Sequence, residues 1–179
     1  YLVTDERLLL GKDLYRTVEA AVKGGVSMVQ LREKESSTRE FVERAIRLKE
    51  VLTPYGVPLI INDRVDVALA ADADGVHVGQ SDMPYEMVKR LLPEGKIIGL
   101  SVESPEQVLE ANNYDLDYVA ASPVFSTTTK TNTIVEWGLD GLRWIRSVSR
   151  HPLVAIGGIH SNNVASICKA GADSVAVIS

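Results

Sequence analysis

Residues 59–84 read LIINDRVDVALAADADGVHVGQSDMP, and the fold follows from how this stretch is divided. Two short apolar runs, residues 58–61 and 75–78, each stop at a polar cluster, Asn62-Asp63-Arg64 and Gly79-Gln80-Ser81-Asp82. Between them Val65-Asp66-Val67-Ala68-Leu69-Ala70 has helical character. The pattern is strand–helix–strand, with a carboxylate after each strand. Successive strands of a parallel sheet end side by side, so Asp63 and Asp82 are expected to be neighbours. A pair of carboxylates without a Cys or His cluster suits a hard divalent cation.

The same alternation extends in both directions. Strands are expected at residues 1–4, 26–31, 58–61, 75–78, 96–100, 118–121, 152–156 and 174–178. Helices are expected at residues 13–23, 37–52, 65–70, 84–92, 104–113, 139–148 and 162–169. Ser37-x-x-Glu40 and Ser104-x-x-Gln107 read as capping boxes. The strands are apolar and β-branched throughout, as when both faces of a parallel sheet are covered. Three segments echo one another: Lys23-Gly-Gly-Val-Ser-Met-Val, Ala71-Asp-Ala-Asp-Gly-Val-His-Val and Ala170-Gly-Ala-Asp-Ser-Val-Ala-Val. In each a helix ends, a small residue turns the chain and a strand begins. The spacing of roughly 20–25 residues is that of a βα unit. Eight units indicate an α/β protein of the (β/α)₈ TIM-barrel class, in one domain over residues 1–179. An open doubly wound sheet would carry a Gly-rich turn after its first strand, where this chain has Thr4-Asp5-Glu6-Arg7. The chain stops at Ser179, so the barrel is expected to lack its last helix, and a start at Tyr1 suggests a trimmed N-terminus.

The 179 residues are 45% hydrophobic and 24% charged, within the range of globular domains. A net charge of -5 speaks against a general nucleic-acid binder. No apolar run nears the ~20 residues of a membrane helix. The only cysteine, Cys168, excludes an intrachain disulfide and reads as a small core residue; a cytoplasmic setting is expected. Trp137 and Trp144 read as packing residues around the sixth helix. The sequence leaves oligomeric state open, a homo-oligomer included.

In a (β/α)₈ barrel, chemistry gathers just after the strands. That rule collects Gln30, Arg32 and Lys34; Asn62 and Asp63; His77, Gln80 and Asp82; Ser101; Thr127, Thr129 and Lys130; Gly157-Gly158; and Ile178-Ser179. Arg32 and Lys34, two apart, are expected to point the same way from extended chain. Glycines at 157 and 158, before a helix opening near Ser161-Asn162, suit an anion, although a tight turn needing positive φ is the alternative. Arg32, Lys34 and Lys130 with Asp63 and Asp82 describe a diphosphate held by bases and one Mg²⁺. The alternatives are helix N-caps for Asp63 and Asp82 and solvated charges, beside Glu33 and Glu35, for Arg32 and Lys34. His77, within a strand, reads as a hydrogen-bonded interior residue. There is no Ser-His-Asp, Cys-His or zinc-type arrangement.

These residues, taken together, resemble the thiamin phosphate synthase family. The resemblance rests on Tyr1-Leu-Val-Thr-Asp5, Val29-Gln-Leu-Arg-Glu-Lys34, Ile61-Asn-Asp63, Asp74-Gly-Val-His-Val-Gly-Gln-Ser-Asp82, Ile98-Gly-Leu-Ser101, Thr127-x-Thr-Lys130, Ala155-Ile-Gly-Gly-Ile159 and Gly171-Ala-Asp-Ser-Val-Ala-Val-Ile-Ser179. It runs in order over essentially the whole chain. It implies a transferase of thiamine biosynthesis that joins an aminopyrimidine diphosphate to a thiazole phosphate, releasing diphosphate. It further implies that Asp63 and Asp82 hold Mg²⁺ and that Arg32, Lys34, Asn62 and Lys130 bind the diphosphate. Gln30 would contact the pyrimidine, and Ser101 would lie near the leaving oxygen. Thr127, Thr129, Gly158 and the Ile178-Ser179 backbone would hold the thiazole phosphate. The chain departs from the family pattern at Ser122, at Thr131 and over residues 132–137, within a loop expected to act as a mobile lid. Rival readings are a thiazole tautomerase, a non-catalytic barrel binding a thiamin precursor, and another phosphate-handling isomerase. The first two need no Asp63/Asp82 metal pair, and the third needs an acid/base pair that is not evident.

Overall fold

A computed structural model describes residues 1–126 and 136–178. Strands and helices alternate from the start: β1 (Leu2–Val3), α1 (Leu14–Lys23), β2 (Val29–Leu31), α2 (Thr38–Leu52), β3 (Leu59–Asn62), α3 (Val65–Ala70), β4 (Gly75–Val78) and α4 (Tyr85–Leu91). They continue as β5 (Ile97–Val102), α5 (Pro105–Ala111), β6 (Tyr118–Ala121), α6 (Gly138–Val148), β7 (Leu153–Ile156), α7 (Val164–Lys169) and β8 (Ser174–Ala176). The sheet has eight strands in chain order, β1 to β8, the order of the (β/α)₈ class. The expected elements are present, with ends moved by at most three residues. A 3₁₀ turn at Glu6–Leu9, capped by Asp5, and another at Thr53–Tyr55 are additions.

The chain separates into two compact units. The first comprises Tyr1–Ile97 and, among the described residues, Ile178; the second comprises Ile98–Val177.

In the first unit, β2 pairs with β1 and β3, and β3 with β4, all parallel. Every residue of β2, β3 and β4 is buried, which explains why these strands read as unbroken apolar runs. Helix α2 turns Phe41, Ala45, Leu48 and Leu52 inward at helical spacing. It opens on the expected capping box: Ser37 Oγ accepts from the Glu40 amide, and Glu40 accepts from the Ser37 amide. Burying these side chains is worth roughly 1.5–3 kcal/mol for each large aliphatic or aromatic one.

In the second unit, β5 to β8 pair in parallel, and α6 buries Leu142 and Ile145. Trp137 and Trp144 stack with ring centroids 6.2 Å apart, the packing role expected for them. Two expectations are corrected here. Gln107 accepts from the Glu103 amide instead of the Ser104 amide, so only the Ser104 half of the second capping box forms. Cys168 is exposed, because α7 is short and buries only Ile167.

Two of the three echoed segments, those at Ala71 and Ala170, carry an aspartate that also recurs before β6. Asp74, Asp117 and Asp173 each stand one residue before a strand, β4, β6 and β8 respectively. Each carboxylate accepts from a backbone amide at the start of the preceding strand: Leu59 at 2.8 Å, Ile98 at 2.8 Å and Leu153 at 2.7 Å. The same residues return their own amides to the Leu59, Ile98 and Leu153 carbonyls. One aspartate thus makes a two-bond brace between neighbouring strands, found before β4, β6 and β8.

Candidate active site

The first unit brings most of its predicted residues to the C-terminal ends of β1 to β4. Pairing between β3 and β4 sets Asn62 opposite His77, both buried. One residue on, the Asp63 amide still donates to the His77 carbonyl at 2.8 Å, while Asp63 itself has φ +63. A non-glycine residue in this region is uncommon, and Asp tolerates it better than most. The turn lifts the Asp63 carboxylate off the strand end. After β4, Asp82 folds back so that its Oδ2 accepts from the Gly79 amide at 2.7 Å. A Cβ on Gly79 would stand 3.1 Å from that oxygen, so glycine leaves room for the carboxylate.

The two carboxylates meet as expected. Burial pushes the Asp82 carboxyl above the ordinary range; a hydrogen bond with Asp63 pushes it the same way, and the Gly79 amide and Lys34 oppose the rise. Adjacent carboxylates resist joint ionisation, so they take up a proton or a cation. Lys34 Nζ supplies one positive charge, 2.5 Å from Asp63 Oδ2. Neither aspartate caps a helix: the residue before α3 is Arg64, that before α4 is Pro84, and neither position makes a side-chain cap. The N-cap alternatives therefore fail.

Arg32 and Lys34, expected to point the same way, take different partners, Asp5 after β1 and Asp63 after β3. Arg32 Nη1 donates to Asp5 Oδ2 at 2.5 Å, and the Arg32 amide donates to Thr4 Oγ1 at 3.1 Å. The alternative of solvated charges for Arg32 and Lys34 does not describe Arg32, which is paired and largely covered, and their neighbour Glu33 is buried. Glu33 accepts from Arg44 at 2.6 Å and from Ser36 at 2.8 Å, and burial raises its carboxyl above the usual range. Arg44 reaches on to Glu6 at 3.1 Å. Gln30, buried in β2, donates from Nε2 to the Tyr1 hydroxyl at 2.6 Å. Asp5 and the Glu33–Arg44–Glu6 group were not among the candidates from sequence. Asp5 lies two residues past β1, at the strand end where site residues of this fold gather.

In the second unit, Ser101 lies inside β5 rather than after it, because the ladder continues to Val102, which pairs with Ala121. Gly157 and Gly158 have φ +100 and +65. A Cβ at Gly158 would stand 2.7 Å from Phe125 Cβ and 2.9 Å from the Ser126 carbonyl oxygen. Both the turn and the close approach of residues 125–126 therefore require glycine there. The following helix opens at Val164, two residues later than expected, after Asn163 has accepted from the His160 amide and donated to the Gly158 carbonyl. Thr127, Thr129, Lys130 and Ser179 lie outside the described residues, as does most of the expected lid, residues 127–135. Ile178 follows β8 directly after Val177.

The donor set of the first unit fits magnesium. Mg²⁺ commonly takes one or two carboxylates and fills its other positions with water and phosphate oxygens. Asp63 and Asp82 offer two, and among the described residues no group of three or more His, Cys, Asp or Glu competes as a self-sufficient metal cage.

Comparison with known proteins adds the following. A family model described as thiamine monophosphate synthase matches residues 1–179. A thiamine-phosphate synthase of Albidiferax ferrireducens is 53% identical over 179 residues, covering 100% of this chain and 82% of the relative. One of Vibrio parahaemolyticus is 50% identical, covering 100% of this chain and 87% of the relative. The solved structure of a thiamine phosphate pyrophosphorylase from Pyrococcus furiosus superposes with a TM-score of 0.90 at 43% identity, covering 99% of this chain and 84% of that one.

Proposed function

The chain belongs to the thiamine monophosphate synthase family, transferases of thiamine biosynthesis, and from that premise we propose how its residues carry the reaction. The substrates are an aminopyrimidine diphosphate and a thiazole phosphate. The C–O bond between the pyrimidine methylene and the diphosphate breaks first. The thiazole nitrogen then forms a C–N bond to that carbon, giving thiamin phosphate and free diphosphate.

The observation that carries this reading is the Asp63–Asp82 carboxylate pair with Lys34 beside it. With a divalent cation held between the carboxylates, such a cluster would stabilise a departing polyanion. Mg²⁺, held by Asp63 and Asp82, would supply positive charge to the diphosphate as it leaves. Arg32 and Lys34 bind the phosphate oxygens, and their charge is worth most as negative charge builds on the leaving group. Gln30 and Asn62, buried at the ends of β2 and β3, give the pyrimidine and diphosphate fixed hydrogen-bonding partners. An electron-rich aminopyrimidine tolerates positive charge at its methylene, so no strong base or covalent nucleophile is needed. In the second unit, the Gly158 turn binds the thiazole phosphate, with Thr127, Thr129, Ile178 and Ser179 assigned to the same phosphate. Ser101 and Lys130 are assigned to the leaving group.

The test is a coupled assay of diphosphate release. Release that requires the pyrimidine diphosphate, the thiazole phosphate and Mg²⁺ together supports the reading. Release without thiazole phosphate, or full activity in excess chelator, contradicts it.

A further inference from the structure

We infer that Asp5 is a positioning residue for the transfer, acting through Arg32. The inference rests on the reading above that Arg32 binds the diphosphate. Asp5 lies two residues past β1, and its side chain is only 4% exposed. Its Oδ1 accepts from the Arg7 amide at 3.0 Å, capping the 3₁₀ turn, while its Oδ2 accepts from Arg32 Nη1 at 2.5 Å. The Arg7 guanidinium lies on the other side, its Nε 3.6 Å from Oδ1.

The cap does not account for a buried charge here. A neutral Asn caps a helical turn about as well as Asp. A buried carboxylate is costly unless paired, and a buried pair adds little to stability over a neutral replacement. What the negative charge does is hold one end of the Arg32 guanidinium. A guanidinium has five N–H donors in a rigid fork, so a carboxylate on Nη1 leaves others for phosphate oxygens. Thr4 Oγ1 holds the Arg32 backbone amide at 3.1 Å, so the segment after β1 grips Arg32 at both ends. The fork is thereby set before substrate arrives, and its ordering does not have to be offset by binding. Lys34 contrasts with it: its side chain is 48% exposed and its partner is Asp63, a proposed metal ligand. Arg32 is the fixed cation of the site and Lys34 the movable one.

Asp5→Asn keeps the cap and removes the charge. The expected result is a rise of about tenfold in KM for the pyrimidine diphosphate, the size of one charge-assisted hydrogen bond. KM for the thiazole phosphate stays unchanged. In an Arg32→Gln background, Asp5→Asn adds nothing further. Asp5→Glu keeps the charge on a longer arm and provides a second measurement if the Asn variant does not fold. Its effect is likewise confined to the pyrimidine diphosphate and disappears in Arg32→Gln. The inference is overturned if the Asp5 variants shift both KM values alike, shift neither, or act equally with and without Arg32. If Arg32→Gln itself leaves KM for the pyrimidine diphosphate unchanged, the assignment of Arg32 fails, and this inference fails with it.

Discussion

Lys34 Nζ lies 2.5 Å from Asp63 Oδ2, joining the segment after β2 to the turn after β3. The lysine thereby places a positive charge on one of the two carboxylates proposed to hold magnesium. An ammonium and a divalent cation compete for the same oxygen. The metal is favoured once phosphate oxygens are present to take both the lysine and the metal's open positions.

That competition has a measurable consequence. Lys34→Met should bind Mn²⁺ in the absence of diphosphate several-fold more tightly than the unaltered chain, because a neighbouring like charge has been removed. Its turnover should nevertheless fall by about a hundredfold, the scale for loss of a charge that stabilises a developing anion. Electron paramagnetic resonance of free Mn²⁺ reads the first effect. Unchanged affinity would separate Lys34 from the metal position.

The raised Asp82 carboxyl predicts a pH dependence with a definite sign. In the folded protein, burial and Asp63 hold it above its unfolded value, so the fold binds its proton more tightly. Its contribution to stability is therefore full below the unfolded carboxylate value, about pH 3.9, and is lost as pH rises through the elevated folded value. At neutral pH without metal, Asp82→Asn should melt a few degrees higher than the unaltered chain. It should also lose the rise in melting temperature that Mg²⁺ with diphosphate gives the unaltered chain. A lower melting temperature for Asp82→Asn would show that its charge supports the fold instead.

Gly158→Ala joins strain at φ +65 to a clash with Phe125 and Ser126. The expected cost is about 1–3 kcal/mol of stability, read from urea denaturation. In whatever fraction folds, KM for the thiazole phosphate should rise while affinity for inorganic diphosphate stays the same. Loss of diphosphate affinity instead would move Gly158 to the other substrate.

The aspartate braces should behave as pure scaffold. Asp173→Ala removes the acceptor for the Leu153 amide and a 3.0 Å ion pair with Arg146. A loss of about 1 kcal/mol is expected, with both KM values unchanged. A selective change in one KM would give the brace a role beyond folding.

Much of this molecule is legible in its sequence, and the exceptions are instructive. Helix α3 and strands β4 and β6 stand at the residues expected from their apolar runs, because turn residues bound them sharply. The Asp63–Asp82 pairing was legible because parallel strand ends must adjoin. The separate partners of Arg32 and Lys34 were not, since spacing gives the side on which a residue leaves the chain but not its partner. Asp5 and Glu33 hold their arginines across 27 and 11 residues of chain, a relation with no local signal. Cys168 sits at helical spacing with Val164 and Ile167, but periodicity does not guarantee burial in a helix of six residues, and α7 buries a single one.

If Asp63 and Asp82 bind magnesium for the departing diphosphate, affinity for diphosphate depends on both the metal and these carboxylates. Calorimetric titration of inorganic diphosphate, with and without Mg²⁺, tests it most directly on the unaltered chain and on folded Asp63→Ala. Tight binding is expected only with Mg²⁺ in the unaltered chain, with a weakening of about a hundredfold or more in Asp63→Ala. Equal affinity with and without Mg²⁺, or Mg²⁺-dependent binding undiminished in Asp63→Ala, would contradict it.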